Sequence, residues 1–394
     1  MTIHAADVWV GTKHVATLRT LNDGSTSFAY TERALHQGGP AVASTLPVTS
    51  TPVLSPGGAL PAFFSNLLPE GRRLSTLKRK AKASLDDELG LLLSVGNNTI
   101  GDVAVVPQGT TPRDGAVQIT LNQSTDFSEV LSSAGVLDPA ALPGMQDKAS
   151  ARTIAVPAVA GGTEYILKVS PPEYPLLVEN EAACFAIAHG LRRQLPASTV
   201  RVLHDVHGRS GLLVTRFDRQ GHTRWHVEDA AQLLNLPPAM KYSPTLESVA
   251  EAVSRLAASP PLALQKIAYM TALAWLTGNG DMHAKNISVI DRGRGIEVAP
   301  LYDIPSTVPY GDHGLALSVA GSKDNLSAKK FLSFVQDIGL PQKVGLTIIR
   351  NALKATERAA DRLTALDFDP RRTRDLTRAL AWRRRLWATP DKAL

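Results

Sequence analysis

The spacing of hydrophobic and polar positions changes several times along the chain, and each change marks an element. Residues Val8 to Thr20, VWVGTKHVATLRT, alternate, which predicts two short strands around the turn Gly11-Thr12-Lys13, with Ser27 to Tyr30 as a third. Gly38 to Leu60 is rich in Gly, Pro, Ser and Thr and reads as loops, with at most one strand around Thr45 to Val53. No helix start follows Gly38-Gly39 directly, so this pair makes a poor phosphate cradle. Helical spacing appears from Phe63 to Gly96 in two segments split near Ser84, and Asn97 to Pro107 returns to a turn and a strand.

A second run of strands follows. It comprises Ala116 to Leu121, a short helix around Phe127 to Ala134, and strands at Thr153 to Val159 and Glu164 to Val169. The segment LVENEAACFAIAHGLRRQL predicts a helix, and Thr199 to Val206 and Ser210 to Arg216 predict two more strands. After Gly221 the pattern turns mostly helical. One helix opens at Val227-Glu228-Asp229-Ala230 and ends near Leu236; others span Thr245 to Ala258, Leu262 to Thr277, Ala328 to Ile338, Gln342 to Leu366 and Arg371 to Trp387. Ala268, Thr271 and Trp275 read as packing positions. The last helix, with Arg383, Arg384 and Arg385 beside Leu376, Leu380 and Trp387, reads as an amphipathic surface helix. The sum is an α+β chain, β-rich at its start and helical at its end.

With 394 residues the chain can form two domains or more, and 44% hydrophobic residues supply real cores. The single cysteine, Cys184, excludes an internal disulfide framework and fits a reducing cytosol; in its Ala-rich apolar surroundings it reads as a core residue. The N-terminus lacks a secretory pattern, and no apolar run approaches the ~20 residues of a membrane span, so a cytoplasmic protein without membrane contact is expected. A net charge of +6 is mild and favours acidic partners in general. The basic run Arg72 to Lys82 reads as a solvated helix face. Zinc spacings, H-E-x-x-H, G-x-S-x-G, internal repeats and a helix-turn-helix are all missing from the sequence.

The chemistry concentrates between Trp275 and Ser306. The apolar helix stops at Gly278-Asn279-Gly280, where glycine opens conformations that other residues avoid. Asp281, His283, Lys285 and Asn286 follow within six residues, then two short strands, Ile287 to Ile290 and Ile296 to Pro300, around the turn Asp291 to Gly295, then Asp303. Phosphoryl transfer requires a carboxylate to handle the attacking hydroxyl and oxygen ligands to hold Mg²⁺ on the phosphates. Asp281 fits the first requirement. Asn286 and Asp303 fit the second, and the hairpin between them folds the two back toward each other.

GDMHAKN followed by a hairpin and LYDI resembles the catalytic and metal-binding segments of the HipA-type toxin serine/threonine kinases. The block FFSNLLPEG, Phe63 to Gly71, resembles the N-terminal subdomain of the same family. The resemblance covers nearly the whole chain. It implies a two-lobed protein-kinase-like fold with an N-terminal subdomain (1–107), a kinase N-lobe with phosphate loop and hinge (108–218) and a helical C-lobe (219–394). It implies ATP and Mg²⁺ as cofactors. Asp281 would be the base, and Asn286 and Asp303 the metal ligands. Lys168, in YILKVS, would hold phosphates with Glu181 as its partner and Glu179 in reserve. The G-x-Q-[DE]-K element maps the phosphate loop onto Pro143, Gly144, Met145, Gln146, Asp147 and Lys148. R-F-D-R at the hinge makes Thr215, Arg216 and Phe217 nucleotide contacts, with Asp218 and Arg219 equally readable as a structural ion pair. His283, Ala284 and Lys285 would sit by the γ-phosphate, and Tyr302 beside Asp303.

Family members act as toxins, are bound by a small helix-turn-helix antitoxin (HipB-like) that also binds operator DNA, and phosphorylate aminoacyl-tRNA synthetases. The implied partners are therefore such an antitoxin, a protein substrate, and DNA through the antitoxin. One position departs from the family: where a silencing serine precedes the loop glycine by three residues, this chain has Ala141. Loss of self-silencing, or substitution by Ser132, Ser133 or Ser150, is expected. Three other readings stay open. G-D-x-H-x-x-N also resembles small-molecule antibiotic phosphotransferases; a non-catalytic kinase-fold module that binds an antitoxin repressor is the second; a metal-dependent phosphohydrolase using Asp281, His283 and Asp303 is the third, though it leaves Lys168 and Glu181 without a role.

Overall fold

The computed structural model describes residues 4–70, 74, 87–95, 99–112, 117–118, 125–133, 154–171 and 174–388. The first sheet is antiparallel and five-stranded, in the order β4-β3-β2-β1-β5. Its strands are β1 (Ala5–Val10), β2 (Lys13–Thr20), β3 (Thr26–Tyr30), β4 (Val53–Ser55) and β5 (Val103–Pro107). The β1–β2 hairpin turns where the alternation predicts, with Gly11 at φ 57 supplying the left-handed residue of the turn. Helices α1 (Glu32–Gln37), α2 (Ala62–Ser65) and α3 (Glu88–Val95) accompany the sheet. Phe28, Phe63, Phe64, Leu89 and Leu92 fill their shared core. The basic run Arg72 to Lys82 lies almost entirely outside the described residues.

The second sheet has the order β6-β7-β8-β10-β9. It comprises β6 (Val117–Gln118), β7 (Ile154–Ala160), β8 (Thr163–Val169), β9 (Val200–His204) and β10 (Ser210–Thr215). Helix α4 (Phe127–Ser133) seals one face with Phe127 and Leu131. Helix α5 (Leu177–Ala188) packs on the other, where Cys184 is buried as a core residue; burial pushes its thiol up to about 12.

Two short ribbons connect this sheet to the helices: β11 (Arg219–Gln220) pairs with β12 (Thr223–Arg224), and β13 (His226–Asp229) joins β14 (Ser288–Asp291) and β15 (Ile296–Val298). The helix expected from Val227 is corrected here. Val227 to Asp229 pair with Ser288 to Ile290, and only α6 (Ala230–Leu233) is helical. Asp229 explains the boundary. Its side chain accepts from the Gln232 amide while the Gln232 side chain returns to its own, a capping box that starts the helix at Ala230.

Helices α7 (Leu246–Leu256), α8 (Pro260–Thr277), α9 (Ala328–Asp337), α10 (Gln342–Ala355), α11 (Ala359–Thr364) and α12 (Pro370–Trp387) build the remaining body. Helix α8 is its axis. Every residue from Ile267 to Thr277 is buried, Ala268, Thr271 and Trp275 among them, so the helix reads as apolar all round rather than striped. The run predicted from Gln342 to Leu366 breaks into α10 and α11 between Thr356 and Arg358. The reading of α12 as a surface helix is also corrected at its most basic point. Arg383 is buried, lies over the Trp275 ring at 4.6 Å and donates to the Trp275 carbonyl at 2.9 Å. The same carbonyl accepts from the Gly278 amide at 3.4 Å, so Arg383 adds a second, shorter hydrogen bond at the end of α8. Arg384 likewise donates to the Leu353 carbonyl at 2.9 Å.

Candidate active site

Strand β8 is central in its sheet, and its alternation brings Ile166 and Lys168 to the same cleft. The Lys168 ammonium lies 2.8 and 2.9 Å from the two Glu181 oxygens of α5 and 2.7 Å from Asp303 Oδ1. Burial works against this charge, but Asp303 and Glu181 outweigh it and hold the ammonium above the ordinary lysine range. Glu179, the reserve, is only half-buried.

The loop after α8 is tightly specified. Gly278 caps the helix in the left-handed conformation at φ 75. Gly280 is there for space: a Cβ would stand 2.5 Å from the Gly314 carbonyl oxygen and 2.5 Å from Thr307 Oγ1. Asp281 follows, buried. Its amide donates to Asn279 Oδ1 at 2.8 Å, and its Oδ1 accepts from the Tyr242 hydroxyl at 3.2 Å. Asn286 Nδ2 donates to the Asp281 carbonyl at 2.8 Å and reaches Asp281 Oδ2 at 3.3 Å. A single 3-10 turn, Ala284–Asn286, brings Asn286 back onto Asp281 before β14 begins. Asn286 and Asp303 line one small cavity with Tyr302. Asp303 adopts φ 52, a left-handed conformation that Asp tolerates better than most side chains and that tends to occur at functional positions.

A cleft of about 280 Å³ opens beside Lys168 and Asp303. One wall is the strand-to-ribbon connection Thr215, Arg216 and Phe217, and Phe217 stacks on Tyr302 at 5.2 Å. The opposite wall belongs to the first sheet's neighbourhood: Asn66, Leu67, Thr99 and Ile100 all line it. A larger cavity, about 630 Å³, lies between the start of α8 and the β14–β15 turn, and its lining includes none of Lys168, Asp281 and Asp303. Convergence of chemistry, not volume, marks the site.

Residues 140–360 match the model of the HipA-like C-terminal domain, and residues 6–106 match that of the HipA N-terminal domain. The chain belongs to the HipA family. Among relatives, Y4mE of Sinorhizobium fredii, named as a candidate kinase, is 27% identical over 390 residues, covering 90% of this chain and 89% of its own. The serine/threonine-protein kinase toxin HipA of Shewanella oneidensis is 27% identical over 350 residues, covering 78% of this chain and 77% of its own. A solved complex of Shewanella oneidensis HipA with HipB and operator DNA contains a chain that superposes with a TM-score of 0.77 at 20% identity, covering 100% of this chain and 99% of that one. The α+β fold, laid out in two lobes like a kinase, is thus the HipA fold.

Within the HipA frame the expected residues separate into three sets. Lys168 bonds Glu181 and Asp303, Asn286 bonds Asp281, and Asn286 and Asp303 line the same small cavity. Thr215, Phe217 and Tyr302 line the cleft. Arg216 lines it too, but its guanidinium is bound by both Asp218 oxygens, at 3.0 and 2.7 Å, and donates to the Thr99 carbonyl at 2.8 Å. Asp218 also takes Arg219 at 2.7 Å, so these charges are committed to one another. Lys285 turns to the N-terminal domain, donating to the Asn66 carbonyl at 2.7 Å. His283 is held neutral: burial, with Lys241 beside it, pulls its imidazole down to about 3. Ala284 is buried and its amide donates to the Lys241 carbonyl at 3.1 Å. Pro143 to Lys148 and Ala141 lie outside the described residues. Sequence reasoning missed Lys241 and Tyr242; Tyr242 lies 39 residues before Asp281, and the pair has no pattern of its own.

Proposed function

We propose that this protein is an ATP- and Mg²⁺-dependent serine/threonine protein kinase, the toxin of a toxin–antitoxin pair, which halts translation by phosphorylating an aminoacyl-tRNA synthetase or a similar factor. The observation that carries the reading is the Lys168 ammonium, bridged between Glu181 and Asp303 in a cleft that Thr215 and Phe217 also line. Kinase catalysis is mostly positioning and charge stabilisation, and a lysine–glutamate pair beside a metal-binding aspartate is one of its recurring parts.

In this reading Asp281 accepts the proton of the attacking hydroxyl. Lys168 holds phosphate oxygens, together with the loop Pro143 to Lys148. Asn286 and Asp303 would hold Mg²⁺, which would neutralise charge on the phosphates. The fit rests on donor type and place: two oxygen-bearing side chains share one cavity, and the Asn286 amide nitrogen is already committed to Asp281, which turns its carbonyl oxygen away from that carboxylate. Thr215 to Phe217 would meet the adenine edge through the backbone, since the Arg216 side chain is occupied. Residues 108–218 and 219–394 would act as the two lobes. A small HipB-like helix-turn-helix antitoxin, and DNA through it, would be the partners; the Shewanella assembly of HipA, HipB and operator DNA supports this.

The test is labelling of a cell lysate with γ-labelled ATP by wild type and by Asp281→Asn. A discrete labelled protein present with wild type and lost with Asp281→Asn is expected. Equal labelling by both, or none by wild type, would refute the reading.

A further inference from the structure

The first hundred residues reach into the site through one acidic side chain. Glu70 ends the block FFSNLLPE, which packs against the C-terminal body: the Phe63 carbonyl accepts from Gln232 Nε2 at 2.9 Å, and Asn66 Nδ2 donates to the Leu236 carbonyl at 2.8 Å. This contact carries the Glu70 carboxylate between two lysines of that body. One oxygen is ion-paired with Lys241 and the other lies 3.3 Å from Lys285 Nζ. Lys285 is further held by the Asn66 carbonyl.

Both lysines are wired to Asp281. Lys285 lies four residues after it in the same loop. Lys241 supplies the carbonyl that accepts the Ala284 amide at 3.1 Å, and the next residue, Tyr242, donates its hydroxyl to Asp281 Oδ1. The Tyr242 ring also meets His283 edge-on at 5.0 Å. The loop bearing Asp281 is therefore gripped from its outer side by Lys241-Tyr242, and that grip is anchored by Glu70.

We infer that Glu70 is a positioning residue for phosphoryl transfer: supplied by the N-terminal domain, it anchors Lys241 and Lys285 and so fixes the loop that presents Asp281. The physical need is plain. Two largely buried ammonium groups need an anion beside them, and Glu70 supplies it; without that anion the Lys241-Tyr242 segment that meets Asp281 loses its anchor. The Glu70 carboxyl agrees: burial opposes its charge, yet Lys285 and Lys241 bring its pKa down to about 2.

The inference rests on the kinase reading for its chemistry but not for its geometry, so the test has two arms. In the first, turnover and MgATP binding are measured for wild type, Glu70→Gln and Glu70→Asp. Glu70→Gln is expected to bind MgATP as wild type does and to lose about tenfold to a hundredfold in kcat, as a shift of about an ångström in a reacting group would cause; Glu70→Asp recovers part of it. In the second, amide hydrogen exchange is followed without nucleotide. Residues 281–286 are expected to exchange faster in Glu70→Gln while α8 keeps its protection. Unchanged turnover in Glu70→Gln overturns the inference, as does a parallel loss of MgATP binding and of α8 protection, which would mark a merely structural role. If wild type transfers no phosphate, the kinase reading falls, and the exchange arm still decides whether Glu70 anchors the loop; unchanged exchange overturns it.

Discussion

At the scale of single residues, Lys168 is the most informative side chain. Removing it leaves Glu181 buried beside Asp303 without their shared cation, so Lys168→Met is expected to cost about 3–5 kcal/mol in denaturant unfolding. Lys168→Met with Glu181→Gln recovers much of that loss but no phosphoryl transfer, which separates the structural from the catalytic share of the pair. Arg383 makes a purely structural contrast. Arg383→Ala removes a donor from each of the Trp275 and His313 carbonyls and empties the space over the Trp275 ring, and is expected to destabilise by about 3 kcal/mol without altering MgATP affinity. Ala141 cannot carry a phosphate, so intact-mass analysis after incubation with ATP is expected to show no added phosphate if self-silencing is lost; an added phosphate mapped to Ser132, Ser133 or Ser150 would show that one of them substitutes.

At the scale of elements, what could be read in advance was local. The β1–β2 turn, the end of α8 and the β14–β15 hairpin each follow from a few adjacent residues whose backbone needs are visible in their types. Strand β13 was not legible. His226 to Asp229 is a polar four-residue run ahead of Ala-Ala-Gln-Leu, and propensity alone assigns it to the helix; only the pairing with β14, far away in sequence, makes it a strand. The grip of Glu70 on Lys241 spans 171 residues, and no spacing rule connects the two. The loop after α8 yields the sharpest element-level prediction. Gly280→Ala drives a methyl group into the Gly314 carbonyl and Thr307, which neither can relieve without moving the Asp281 backbone. A stability loss of about 1–3 kcal/mol is expected, accompanied by a fall in turnover larger than that loss would explain. Thermal unfolding and steady-state kinetics on the same sample check both.

At the scale of the whole molecule, the N-terminal domain is fastened to the rest by charge more than by apolar contact. Glu70 meets Lys241 and Lys285, and Thr99 and Gly101 meet the Arg216, Asp218, Arg219 cluster. The Ser44 amide and hydroxyl donate to Glu228, and Asp102 bonds His226 at 2.9 Å. Burial lowers the His226 imidazole, but its hydrogen bonds to Asp102 and Glu228 outweigh that and raise it from 6.5 to about 10. A raised imidazole stabilises the fold fully below 6.5, and that contribution drains away as pH climbs through about 10. The stability difference between wild type and His226→Gln should therefore be full at low pH and shrink steadily above 6.5. A constant difference across that range would show that the imidazole is not titrating with the fold.

The roof that Thr99, Ile100 and Asn66 lay over the cleft has a consequence for chemical selectivity. In the proposed reading, residues of the N-terminal domain line the nucleotide's own cleft, so an adenine analogue carrying a short branched alkyl arm toward Ile100 would gain apolar contact from that domain rather than from either lobe.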